Sequence, residues 1–102
     1  MGESEAHLGD FFLKVEGDSM TQFHIHDGDM VYVKKCSHVD SGTIAIVLIQ
    51  EEATIKKVLW KDDIMILEAG NPNIENRYFT KNEIQSLPVQ IIGKVIFSKT
   101  YF

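Results

Sequence analysis

From Phe11 onward the chain alternates short apolar runs with polar, glycine-bearing breaks. Phe11 to Glu16 puts Phe11, Leu13 and Val15 on one face, the period-two pattern of a half-buried strand. Asp27-Gly28-Asp29 reads as a turn into a strand from Met30 to Lys35, and Asp40-Ser41-Gly42 as a second turn. Thr43 to Ile49 (TIAIVLI) is apolar on both faces, which predicts a central strand covered on both sides. Gln50-Glu51-Glu52 makes a charged hairpin into Ala53 to Trp60, and Lys61-Asp62-Asp63 turns into Ile64 to Glu68. Ala69 to Asn73 is a long polar loop, and the last strand region is Val89 to Phe102, broken by Gly93. One helix is expected, Thr80 to Leu87, with Thr80 as N-cap and Glu83 closing a capping box. Turn signals about every eight to twelve residues with almost no helix predict a mainly β fold. Short antiparallel strands would form a sandwich or a coiled sheet curling into a partly closed barrel.

Composition narrows the setting. A chain of 102 residues is one domain, here 11–102 behind a flexible N-terminal arm of residues 1–10. Its modest core makes a partner chain that adds buried surface unsurprising. The net charge of −5 argues against a nucleic-acid surface, and pairs such as Lys34-Lys35 are too short to form a basic patch. A single cysteine, Cys36, rules out an intrachain disulfide. No apolar run has bilayer-spanning length, and the arm MGESEAHLGD is unlike a signal peptide, so the reading is cytoplasmic with no membrane partner.

Chemistry concentrates in Val15-Glu16-Gly17-Asp18-Ser19-Met20 (VEGDSM). A serine after Gly-Asp is usually a turn residue, and as a nucleophile it needs a base within hydrogen-bond reach. His24 and His26 would share a face of an extended segment just after it; as a metal pair they lack a further ligand. Cys36 beside His38 lies in a loop without apolar framing, Asp27-Gly28-Asp29 lacks the spaced acids of a calcium loop, and Asp62-Asp63 is a hairpin tip. A lysine serves as base only when neutral, and burial is what lowers its pKa from about 10.4. Lys56 and Lys57 lie in mid-strand among Ile55, Val58 and Leu59, where an unpaired charge is costly. Alternation groups Lys56 with Thr54, Val58 and Trp60, and Lys57 with Ile55 and Leu59; periodicity leaves open which faces a cleft.

Four blocks in order, FLKVEGDSM at Phe12–Met20, IHDGD at Ile25–Asp29, Ser41-Gly42 before the buried strand, and ATIKKV at Ala53–Val58, resemble the C-terminal domain of LexA-type and phage repressors. The polymerase accessory subunit UmuD shares that domain, and type I signal peptidases are more distantly similar. The family hydrolyses a peptide bond, usually of its own chain, with a Ser–Lys dyad. The resemblance puts the nucleophile on Ser19 and the general base on Lys56, with no cofactor or metal. Backbone N–H groups of Asp18 and Ser19 are then the expected oxyanion donors. Gly17 would bend the chain to expose the hydroxyl, Met20 completes the motif, and Thr54 would orient Lys56.

One feature departs from the family pattern. The family cuts a small-residue–Gly bond upstream of its serine, and neither Ala-Gly nor Cys-Gly occurs before Ser19; Ala69-Gly70 lies downstream in a turn. The chain therefore reads as a catalytic and dimerisation domain of a longer repressor, its own linker peptide being the substrate. The resemblance implies a homodimer through the C-terminal strand, cleavage stimulated by RecA filaments in the SOS response to DNA damage, and DNA contact through a separate N-terminal domain. The alternative is a non-cleaving dimerisation or binding module like the UmuD-like accessory subunit. A signal peptidase acting in trans would need a membrane anchor.

Overall fold

The doubly apolar run becomes the middle of the molecule. A computed structural model describes residues 10–99. In it the strands β1 (Phe11–Lys14), β2 (Met30–Lys35), β3 (Thr43–Ile49), β4 (Glu52–Lys61), β5 (Ile64–Glu68), β6 (Arg77–Phe79) and β7 (Val89–Lys99) form one sheet in the order β1-β2-β7-β3-β4-β5-β6. Every pairing is antiparallel. β3 is fourth of the seven and buries residues on both faces, as a two-sided apolar strand must.

Ala45 and Val47 point into one cluster with Val58, Met65, Leu67, Phe79, Val89 and Ile91. The helix α1 (Lys81–Ser86) closes that side through Ile84 and the following Leu87. Its start is the expected capping box: the Thr80 hydroxyl takes the Glu83 N–H, and the Glu83 carboxylate takes the Thr80 N–H at 2.9 Å. Ile46 points the other way, into a second cluster with Val15, Met20, Ile25, Val31, Val33 and Ile55. β4 therefore has a different core under each face, and its two central lysines stand between the two.

The expected mainly β fold forms as one antiparallel sheet that stays open, since β1 and β6 each have one neighbour, with register shifts at Tyr32/Val33 and Ile46/Val47. Other expectations change. Gly93 does not break β7. It sits where a Cβ would collide with Val33 Cγ1, so only glycine lets β2 and β7 approach there. Nor is β7 a plain sheet edge, since β3 pairs with Val89–Lys94 and β2 with Gly93–Lys99. Within β7, Val95–Lys99 have no β3 partner and Val89–Ile92 no β2 partner. His24 and His26 are not on a strand. Thr21–Phe23 forms a 3-10 turn that His24 ends at φ 64°, so the two imidazoles have no shared sheet face. Cys36 is not in an apolar-free loop but packs on the first cluster. The arm lies outside the described residues except Asp10, whose N–H bonds Val33 O and whose carboxylate takes the Lys35 N–H. Tyr101 and Phe102 also lie outside the described residues.

Candidate active site

The turn carrying Ser19 is built from its flanks. Val15 is buried just past β1, and Gly17 adopts φ 89°, a left-handed conformation that side chains resist. Its N–H is taken by Asp27 Oδ1 at 2.7 Å. The Asp-Gly-Asp turn is thus the strut beneath the serine loop, and Asp29 Oδ2 braces it by accepting the His26 N–H at 2.8 Å. Met20, only 1% exposed, plugs the second cluster, so the chain is pinned directly after Ser19. Ser19 itself remains half-buried.

Lys56 arrives from the centre of β4. Its Nζ lies 3.4 Å from Ser19 Oγ, 2.7 Å from Thr54 Oγ1 and 3.1 Å from the Ile55 carbonyl oxygen. Burial drives its pKa below the usual lysine range, and the Arg77 guanidinium drives it further the same way. Lys57, one residue on, faces the other side of the sheet. Its ammonium stands 5.1 Å from the centre of the Phe23 ring, a cation–π contact away from the serine.

Two grooves meet at this point. One of about 550 Å³ runs past Ser19 between the end of β1 and the start of β4, from Leu13 to Glu16 on one wall and Ala53 to Ile55 on the other. The second, of about 310 Å³, holds Lys56 with Gln50, Leu67 and Arg77. Glu52 and Thr54 line both. An extended peptide crossing the junction would meet the hydroxyl and the amine together.

The structure thus gathers Gly17, Asp18, Ser19, Met20, Thr54 and Lys56 in one place. It leaves Cys36 on the core, while His38 lines a separate cavity with Asp40 and Lys94. Three contributors escape sequence reasoning. Arg77 sits on a strand too short to show a period. Gly70 and Asn71 come from the polar loop: the Gly70 carbonyl accepts the Gln22 N–H at 2.6 Å, and Asn71 Nδ2 donates to the Asp18 carbonyl at 3.0 Å. The glycine next to Asn-Pro was the available signal, and it reads equally well as an ordinary turn.

Comparison with known proteins adds an independent line. The family model described as Peptidase S24-like matches residues 4–96. The LexA repressor of Citrifermentans bemidjiense is 38% identical over 88 residues, covering 86% of this chain and 42% of that protein. The LexA repressor of Myxococcus xanthus is 35% identical over 86 residues, covering 84% of this chain and 38% of its own length. That of Thermotoga petrophila is 34% identical, covering 84% of this chain and 41% of its own length. The chain therefore spans about two-fifths of the length of the curated relatives it matches.

Proposed function

This chain belongs to the Peptidase S24-like family, and from that premise we propose that it is the self-cleaving, dimerising C-terminal domain of a LexA-type repressor, with Ser19 as nucleophile and Lys56 as general base. The observation that carries the reading is the set of three partners around Lys56 Nζ. A neutral amine has two N–H donors and one lone pair. Thr54 Oγ1 and the Ile55 carbonyl occupy the donors, which leaves the lone pair for the Ser19 hydroxyl proton. A separation of 3.4 Å is long for that transfer, and such contacts tighten when substrate excludes water.

The chemistry then runs in two halves. Lys56 takes the hydroxyl proton as Ser19 Oγ bonds to the scissile carbonyl carbon, and negative charge moves to the carbonyl oxygen. The backbone N–H groups of Asp18 and Ser19 stabilise that oxyanion. Collapse breaks the C–N bond, and the lysine ammonium gives its proton to the departing amine. The acyl–serine ester is hydrolysed by water that Lys56 deprotonates in turn. Arg77 contributes by disfavouring a second positive charge nearby, which keeps more of Lys56 in the neutral form. No helix among the described residues is long and apolar enough to cross a membrane. DNA contact and RecA-stimulated cleavage belong, on this reading, to the longer protein.

The test is mass spectrometry of a peptide carrying a small-residue–Gly bond, from about pH 7 to about pH 10, the span below an ordinary lysine. Cleavage should be slow, because tethering of the bond is lost in trans. It should climb with pH through the lowered Lys56 pKa and then level. Ser19→Ala and Lys56→Ala should abolish it, and Lys57→Ala should match wild type. Activity that survives Lys56→Ala but not Lys57→Ala would reassign the base.

A further inference from the structure

The dyad accounts for a hydroxyl and an amine but not for what aims the backbone beneath them. We propose that Asn71 is a positioning residue: by holding the Asp18 carbonyl it turns the Asp18–Ser19 peptide so that the Ser19 N–H faces the groove where the oxyanion forms. The inference rests on the Ser19–Lys56 reading above.

The orientation of the Asn71 amide follows from its two partners. Its Oδ1 accepts the Asn73 N–H at 2.9 Å, and its Nδ2 donates to the Asp18 carbonyl at 3.0 Å. Flipping the amide would set oxygen against oxygen at one end and N–H against N–H at the other, so only one arrangement works. The Asn71 carbonyl also accepts the Ile74 N–H at 3.0 Å, which stiffens the loop from within. The same loop grips the far side of the serine. The Gly70 carbonyl takes the Gln22 N–H at 2.6 Å and lies 3.4 Å from Thr21 Oγ1. Packing is tight there: a Cβ on Gly70 would stand 2.8 Å from Phe23 Cδ2 and 3.0 Å from Met20 backbone carbons. Ser19 is therefore clamped on both sides, at Asp18 before it and at Thr21 and Gln22 after it.

The geometry of a peptide carries the clamp into the site. In a trans peptide the C=O and N–H point in opposite directions, and the one cis bond among the described residues is Leu87-Pro88. The Asp18 carbonyl points at the 69–73 loop, so the Ser19 N–H points away from it. No residue of that loop lines the Ser19 groove, whose walls come from β1 and β4. Ser19 itself lines that groove, and on this proposal its N–H, turned from the loop, faces into it. Among the described residues no carbonyl or side chain accepts the Ser19 N–H, which leaves it free for an incoming oxygen.

Two variants separate this contact from the bracing of the loop. Asn71→Asp keeps an acceptor for the Asn73 N–H but cannot donate to Asp18 unless protonated; Asn71→Ala removes both contacts without adding charge. Two readouts are taken on the 102-residue chain: the Asp18 carbonyl and Ser19 amide chemical shifts by NMR, and kcat and KM on an Ala-Gly-bearing peptide. Both variants should move those two resonances. Both should lower kcat by about a hundredfold, the scale of a small misplacement of a reacting group, with KM nearly unchanged. Resonances that overlay wild type in both variants, or a kcat that stays at the wild-type value, overturn the positioning role. If wild type is as inert as Ser19→Ala, the peptidase reading fails instead, and the Asn71-dependent shifts still decide whether the clamp exists.

Discussion

The Met20 side chain anchors the serine turn by burial, and removing it should cost both stability and geometry. The residue is 1% exposed and sits in the cluster of Val15, Ile25, Val31, Val33, Ile46 and Ile55. Truncating a buried methionine to alanine costs about 2 to 5 kcal/mol, the spread reflecting how far the site collapses. The flanking 3-10 turn leaves some room to collapse, while the Gly70 clamp opposes it, so we take about 3 kcal/mol. Unfolding entropy near the midpoint is about 2.1 cal/mol/K per residue, or about 0.2 kcal/mol/K for 102 residues. Met20→Ala should then melt about 14 °C below wild type. Met20→Leu conserves volume and should lose less than about 1.5 kcal/mol, or about 7 °C. The assay is calorimetry of the three proteins in one buffer, with peptide cleavage measured well below the lowest Tm. Cleavage by Met20→Ala should fall even where it is fully folded, because Ser19 gains freedom. A loss below about 4 °C for Met20→Ala, or equal losses for both variants, would refute the anchor; a 1 kcal/mol change already shifts Tm by about that much.

Two further outcomes follow from the same structure. Burial and Arg77 lower the folded pKa of Lys56, so between that value and about 10.4 the unfolded chain binds more protons and stability rises with pH. Denaturant unfolding of wild type against Lys56→Met should show wild type gaining on the variant across that window; a gap that stays constant would contradict the burial argument. Dimerisation should use the free side of Val95–Lys99, so sedimentation at micromolar concentration should show a dimer that Ile96→Lys, at an exposed position, dissociates. A wild-type chain that sediments as a single copy there would end that reading.

Much of this architecture was legible because the core strands carry their period openly. TIAIVLI reads as a two-sided strand between turn signals, and Thr80 with Glu83 marks where a helix can begin. The failures share a cause, which is that spacing along the chain is silent about neighbours across it. Arg77–Phe79 is three residues long and has no period to read. Gly93 looked like a breaker because the close approach of Val33 cannot be seen from the β7 sequence. Nothing in the residues of Val89–Phe102 says that β2 takes one half of that strand and β3 the other. At the site, alternation put Lys56 and Lys57 on opposite faces but could not say which face held the serine. Resemblance chose Lys56, and the fold sets its amine 3.4 Å from Ser19 Oγ. Asn71 was unreadable, since its partner Asp18 is 53 positions away.

The staggered pairing of β7 also bears on when the site can exist. Ser19 hangs from the β1–β2 side of the sheet and Lys56 from the β3–β6 side, and the ladder joining those sides runs only through β7. That strand follows the other six in the chain. On a translating ribosome, which adds about 5 to 20 residues per second, Ser19 and Lys56 emerge before the strand that sets them in register. Synthesis of β7 is thus the step that can bring Ser19 and Lys56 together, and a chain stopped before Val89 carries the two side chains apart.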